Sequence, residues 1–289
     1  MAAPAFEAAP PARRPRRRLP LPLLWGGAIV GCVVLLAAVA PVVAPYPYDE
    51  MNILMRLRPP SLPHWLGTDE FGRDVLTRML IGARLSLIMG FGATVISLAL
   101  GVPLGLVAGY HRGRIDEAIM RVMDVIMSFP PILLGLLVLA VTPPTFWKAI
   151  LAVGVVYVPA MVRLTRSVTL DLVNEEFILA AHARGERASY ILFSEILPNA
   201  WPPIAVEASL RVTFAILLGA ALSFLGMGAQ PPSSDWGLMI SEARPFVEAA
   251  PWIALAPGFA MCLAVIGINL LGDGLREALD PRISRMSTR

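Results

Sequence analysis

The chain has 289 residues, 56% of them hydrophobic and 16% charged, and a formal net charge of +3. Soluble globular domains are usually ~25% charged, so these proportions suit lipid as the solvent. The basic residues form no stripe interleaved with aromatics, which excludes a nucleic-acid partner.

Residues 1–20 are rich in Ala, Pro and Arg and lack apolar periodicity, the pattern of a disordered tail. The basic run Arg13, Arg14, Arg16, Arg17 and Arg18 stands directly before an apolar segment, where it acts as an orientation signal. The segment 21–44 is too long for the ~7–15-residue apolar core of a secretory signal. Ala38-Val39-Ala40 resembles a cleavage site, but Pro41 follows it, so the segment reads as a retained membrane helix. Cys32 and Cys262 both lie in apolar stretches and read as small hydrophobes.

Spanning a hydrocarbon core ~30 Å thick takes ~20 apolar residues. Six stretches qualify, at about 21–44, 84–109, 122–141, 147–166, 207–228 and 251–271. The expected fold class is therefore an all-α integral membrane protein. Pro159 interrupts the fourth stretch, and Arg163 and Arg166 at its end are expected to snorkel to the interface. The N-terminal arginines predict a cytoplasmic N-terminus, and six crossings return the C-terminus to the same side. The expected domains are a cytoplasmic tail 1–20, a first span 21–44, an extracytoplasmic loop 45–83, a five-span core 84–272 and a cytoplasmic tail 273–289. Arg56, Arg58, Arg73 and Arg78 in the loop 45–83 strain that topology.

Pro45, Pro47, Pro59, Pro60 and Pro63 predict an extended first half for the loop 45–83. In its second half, Gly67 and Gly72 allow turns, and Asp69 or Asp74 is placed to cap the next helix. Contact with a docked protein is the alternative reading of that stretch. The inside loop 171–199 reads as helix 171–184, a Gly185 turn, and helix 188–197 closed by Pro198, Pro202 and Pro203. The small side chains of Ala180, Ala181 and Ala183 allow close approach by another surface, and Phe177 lies one turn away as an anchor. On physical grounds alone, an ordinary surface hairpin fits equally well.

Ala180-Ala181, Gly185 and Ile196-Leu197-Pro198 carry the spacing of the EAA loop and resemble the binding-protein-dependent importer permeases. Glu176 departs from the pattern by standing four residues before the alanines, and Glu195 by replacing an apolar residue. The match narrows to the C-type permeases of dipeptide, oligopeptide and nickel ATP-binding-cassette importers. His64-Trp65-Leu66-Gly67-Thr68-Asp69-Glu70-Phe71-Gly72-Arg73-Asp74, Phe129-Pro130, Ala221-Leu222-Ser223-Phe224-Leu225-Gly226 and Asn269-Leu270-Leu271-Gly272-Asp273 all resemble that family, in order, from about residue 40 to 283.

The resemblance implies a type I importer transmembrane domain that moves peptides or a related small solute. It implies a homologous second permease, two ATPase subunits and an extracytoplasmic solute-binding protein as partners. Glu176, Phe177, Ala180, Ala181, Gly185, Ile196, Leu197 and Pro198 would form the loop that couples to the ATPase. ATP and Mg would bind the partner ATPases, since this chain has no phosphate loop and no Gly followed by Lys. No cofactor, metal or catalytic residue is expected on the chain itself.

Candidate pore or gate residues are Asp124 and Ser128 before Pro130 and Pro131, the Glu207–Arg211 pair four residues apart, and Trp236. The segment 231–248 resembles a short re-entrant or interfacial helix that lids the pore. A membrane-embedded enzyme would need convergent titratable groups, and a self-sufficient secondary transporter an internal repeat. Neither is legible here.

Overall fold

The computed structural model describes residues 20–279 apart from 142 and 144. The expectations for the tail 1–20 and for residues 280–289 therefore lie outside the described residues, Pro20 excepted. Among those described, nearly all regular structure is helical.

Helix α1 (Leu21–Val43) runs as the composition predicts, with Trp25 and Leu35 among its many exposed apolar side chains. Helix α2 (Val75–His111) starts nine residues before the expected 84. The start is chosen by a cap: the Asp74 carboxylate accepts the Thr77 N–H at 2.8 Å, satisfying a donor that the first turn leaves free. Arg78 and Arg84 in the first turns hide this start from a hydropathy reading. At 37 residues α2 is about 55 Å long, well beyond the bilayer core.

The expected span 122–141 is instead two helices, α3 (Gly113–Met127) and α4 (Pro131–Ala140), bent by 89°. Pro130 and Pro131 cannot donate to the preceding turn, so the helix stops at Ser128. Ten residues of α4 rise about 15 Å, too little to cross alone. Helix α5 (Phe146–Leu172) is longer than expected and carries Pro159 inside it.

After α5 come α6 (Glu176–Ala183) and the single turn α7 (Ala188–Tyr190). A π-helical turn (Ile191–Ile196) leads without a break into α8 (Leu197–Phe224). Pro198, Pro202 and Pro203 thus do not close the loop. The wide turn sits directly before Pro198, with the Leu197 N–H bonding the Leu192 carbonyl, and the Asn199 amide donates to the Glu195 carbonyl at 2.7 Å; Pro202 and Pro203 lie within α8. Helices α9 (Trp236–Ala243) and α10 (Trp252–Leu279) complete the chain. Since α10 reaches Leu279, residues 273–279 are helix rather than tail. Among the described residues five helices are long and apolar enough to cross a membrane, six if α3 and α4 count as one span.

Helix α2 is the centre of the bundle, flanked by α5 and α8. Gly101, Gly105 and Gly109 recur every fourth residue along its contact with α5. A Cβ at these positions would stand 2.5 Å from Met161 Cβ, 2.6 Å from Thr165 Cβ and 2.6 Å from Thr169 Cβ. Such a small-residue stripe lets two backbones close up in lipid, where no hydrophobic effect draws helices together. Helix α1 lies outside this core against α10.

Candidate functional site

Two ends of the bundle carry the polar chemistry. At the end where α2 finishes, α6, the Gly185 turn and α7 form a hairpin. The Gly185 N–H bonds the His182 carbonyl at 2.9 Å and the Glu186 N–H bonds the Ala181 carbonyl at 3.2 Å. These are the paired bonds of a Schellman stop, and Gly185 takes the required left-handed φ of +75°. Ile178, Ala181, Ile191 and Ile196 are fully buried against Leu106, Ala200 and Ile204. This plug seats the hairpin on α2 and α8. His182 adds a polar tie, its Nε2 lying 2.9 Å from the Tyr110 hydroxyl on the last turn of α2.

Burial sorts the loop residues in a way the sequence does not. Phe177 is half-buried in the same apolar cluster, so it anchors the hairpin inward rather than in a partner. Ala181 likewise faces the chain's own core, while Ala180 and Pro198 are exposed and Leu197 is partly buried. Leu179, Tyr190 and Phe193 are the large outward side chains. Glu176 is exposed in the first turn of α6, where its charge suits the helix dipole. Glu195 is tolerated because it reaches Arg184 at 3.5 Å.

The four polar gate candidates occupy two separate places. Asp124 meets Arg163 at 2.7 Å, and Asp116 takes both Nε and Nη2 of Arg166 at 2.5 and 2.6 Å. Arg163 and Arg166 thus pin α3 across α5. The Ser128 hydroxyl donates to the Val125 carbonyl at 2.7 Å and finishes α3. Glu207 and Arg211 pair at 2.6 Å, with the guanidinium over Tyr157 and Phe214. Trp236, the fifth candidate, is 1% exposed and lines no opening. Its indole N–H donates to the Met79 carbonyl at 3.0 Å. With Leu238, Met239 and Ala243 also buried, α9 is packed firmly on the bundle.

The other end, where α2 begins, holds the larger polar assembly. Asp74 both caps α2 and meets His64 Nδ1 at 2.9 Å, and the Arg58 N–H donates to Thr68 Oγ1 at 2.9 Å. Gly72 takes a φ of +74°, and a Cβ there would collide with the Asn52 carbonyl. This compact knot surrounds a buried cluster of Asp69, Glu70, Arg73 and Arg78 joined to Glu242 of α9. Burial raises the Glu70 carboxyl above the ordinary range, and the charges of Asp69 and Glu242 push the same way. Nearby, the Ser86 hydroxyl donates to Asp235 at 2.8 Å, and Asp235 accepts the Leu238 N–H to cap α9. Burial raises the Asp235 carboxyl too, against the pull of these hydrogen bonds.

Sequence reading missed the partnership of Arg78, Glu242, Ser86 and Asp235. Asp235 three residues before Leu238 was a readable cap signal. The pairing of Arg78 with Glu242 spans 164 residues and has no local signature.

Five or six candidate spans, a capped hairpin at one end and a packed short helix at the other define, among the described residues, a helical multi-pass membrane protein. Residues 101–285 match the family described as binding-protein-dependent transport system inner membrane component. Residues 23–60 match the N-terminal transmembrane domain of oligopeptide transport permease C. The chain is 47% identical to the dipeptide transport system permease protein DppC of Alkalihalophilus pseudofirmus over 261 residues, 89% of this chain and 86% of that protein. It is 42% identical to the di/tripeptide transport system permease protein DppC of Pseudomonas aeruginosa, covering 87% and 85% of the two chains. In structure it resembles a chain of the inward-facing MetNI methionine ABC transporter. The TM-score is 0.58 at 18% identity, over 74% of this chain and 98% of that one, a likeness of fold. The chain therefore belongs to the family of binding-protein-dependent transport system inner membrane components, and within it is a transmembrane permease subunit.

Proposed function

We propose that the chain forms half of a peptide-conducting pore, paired with a homologous permease, two ATPase subunits and an extracytoplasmic solute-binding protein. Di- or oligopeptides are the cargo, a reading supported by the named transport roles of the relatives. The α6–Gly185–α7 hairpin lies in the cytoplasm with both chain termini, and α9 lies at the outer end. The chain performs no covalent chemistry; ATP and Mg bind the partner subunits and supply the driving force.

The hairpin is the observation that carries this reading. It is plugged into α2 and α8 by Ile178, Ala181, Ile191 and Ile196, yet turns Leu179, Tyr190 and Phe193 outward. A surface held on one side by the pore helices and apolar on the other can pass motion from a docked motor to the bundle. Closure of the ATPases displaces the hairpin, the seated helices follow, and access alternates between the two sides. Asp124, Ser128, Glu207 and Arg211 are the candidate pore and gate residues on the moving helices.

Gly185→Val tests the coupling. Nothing lies within 4 Å of a Cβ there, so the change leaves neighbouring packing alone and strains only the left-handed backbone. That strain is roughly 1–2 kcal/mol. The expected result is an assembled complex that hydrolyses ATP but takes up labelled dipeptide several-fold more slowly. Unchanged coupled uptake would refute the assignment of the loop. Labelling of His182→Cys from the outside of intact cells would refute the orientation.

A further inference from the structure

The charged cluster at the α2 start is a closed ring. Asp69 Oδ2 accepts from Arg73 Nε at 2.6 Å and from Arg78 Nη1 at 2.7 Å. Glu242 Oε2 accepts from Arg73 Nη2 at 3.2 Å and from Arg78 Nη2 at 2.8 Å. Asp69, Arg73 and Arg78 are at most 1% exposed. Glu242 is the one charged residue of α9, whose other side-chain polar ties, Trp236 to the Met79 carbonyl and Ser241 to the Phe224 carbonyl, are neutral hydrogen bonds. The three residues from the α2 side fall between the two stretches that match known families, 23–60 and 101–285.

The charge count of the ring is uneven. Glu70 stands beside it, with Oε1 at 3.3 Å from Arg73 Nη2 and Oε2 buried without any hydrogen-bond partner. With Glu242 in place, three carboxylates face two guanidiniums. With Glu242 withdrawn, Asp69 and Glu70 face Arg73 and Arg78, two against two. Removing one partner of a buried ion pair ordinarily strands a charge and is strongly unfavourable. Here a replacement carboxylate oxygen already waits at the site.

We infer that this ring is a reversible latch: α9 is held by Glu242 between Arg73 and Arg78, and when it lets go, Glu70 takes over the vacated guanidinium contacts. The segment 67–78 stays intact in both states because its own charges balance once Glu242 leaves. The buried Oε2 of Glu70, unsatisfied in the latched state, is the group reserved for the open one. This goes beyond the transport reading and does not depend on the cargo.

The test follows the accessibility of α9 in the assembled transporter. Ala243 is fully buried at the end of α9, so an Ala243→Cys thiol reports its release. A membrane-impermeant maleimide is expected to label A243C slowly, and to label it at least ~10-fold faster when Glu242→Gln is added, since one lost charged contact shifts an equilibrium by about that factor. Glu70→Gln is expected to act in the opposite direction, slowing the labelling, because the open state loses its counterion. A merely structural cluster would loosen in both variants. Equal labelling of E242Q and the parent, or faster labelling in E70Q, would overturn the latch. Should E242Q fail to accumulate, hydrogen exchange over 236–246 in E70Q alone decides: slower exchange than the parent supports the latch, equal or faster exchange sinks it.

Discussion

Asp235 and Glu70 show how a single buried carboxyl makes this end of the molecule sensitive to acid and base. Both are raised by burial, so the folded chain prefers their neutral forms more than the unfolded chain does. Stability from this source is fully present below the ordinary carboxyl range, near ~4. It is lost as pH rises through the higher folded values. The detergent-solubilised chain should therefore show a falling melting temperature across that window, and the slope should flatten in both Glu70→Gln and Asp235→Asn. Asp235→Ala has a different consequence. It removes the cap of α9, for about 1 kcal/mol, and leaves the Ser86 hydroxyl without its acceptor, for roughly another 1–3 kcal/mol. Thermal unfolding should place D235A below both the parent and D235N at neutral pH. A D235A protein as stable as the parent would show that the cap contributes nothing.

Among the elements, the contact of α2 with α5 is set by absent side chains. Gly105→Val would place a Cβ 2.6 Å from Thr165 Cβ and 2.7 Å from the Val162 carbonyl, with two methyls beyond it. Overpacking of this kind costs roughly 1–3 kcal/mol where the neighbours can yield, and here one neighbour is backbone. The variant should accumulate poorly and melt well below the parent. Gly258→Ala in α10, where a Cβ meets nothing within 4 Å, is the matched control and should leave the melting temperature unchanged or slightly raised. The stripe Gly101, Gly105 and Gly109 is visible in the sequence as small residues at every fourth position, but which helix it receives is not. The prolines of α8 show the reverse case. Read locally, Pro198, Pro202 and Pro203 end a helix; in the fold, a π turn precedes Pro198, and packing of Ile196, Ala200 and Ile204 keeps the helix going. The capping hairpin was the most legible element, since Gly185 and the helix formers beside it state a turn between helices.

Across the whole molecule, α1 is an addition to the bundle rather than part of its centre. It packs chiefly on α10, where Gly26 and Gly274 allow backbones to touch, and only 17% of its most apolar window is buried. A chain lacking residues 1–44 should keep slow hydrogen exchange in α2 and α5 and lose it in α10. Loss of protection in α2 would show α1 to be integral to the core.

Composition and the length of the apolar runs were enough to establish a multi-pass helical membrane protein, because solvent preference and span length are properties of short windows. Short-range chemistry was enough for the Gly185 turn and narrowed the α2 cap to Asp69 or Asp74. The inward face of Phe177, the burial of Trp236, the pairing of Arg163 and Arg166 with α3, and the ring joining Asp69, Arg73 and Arg78 to Glu242 came from the folded chain alone. Each depends on which surfaces meet across many tens of residues, and a buried charge or ring acquires its role from the neighbour that packing brings to it.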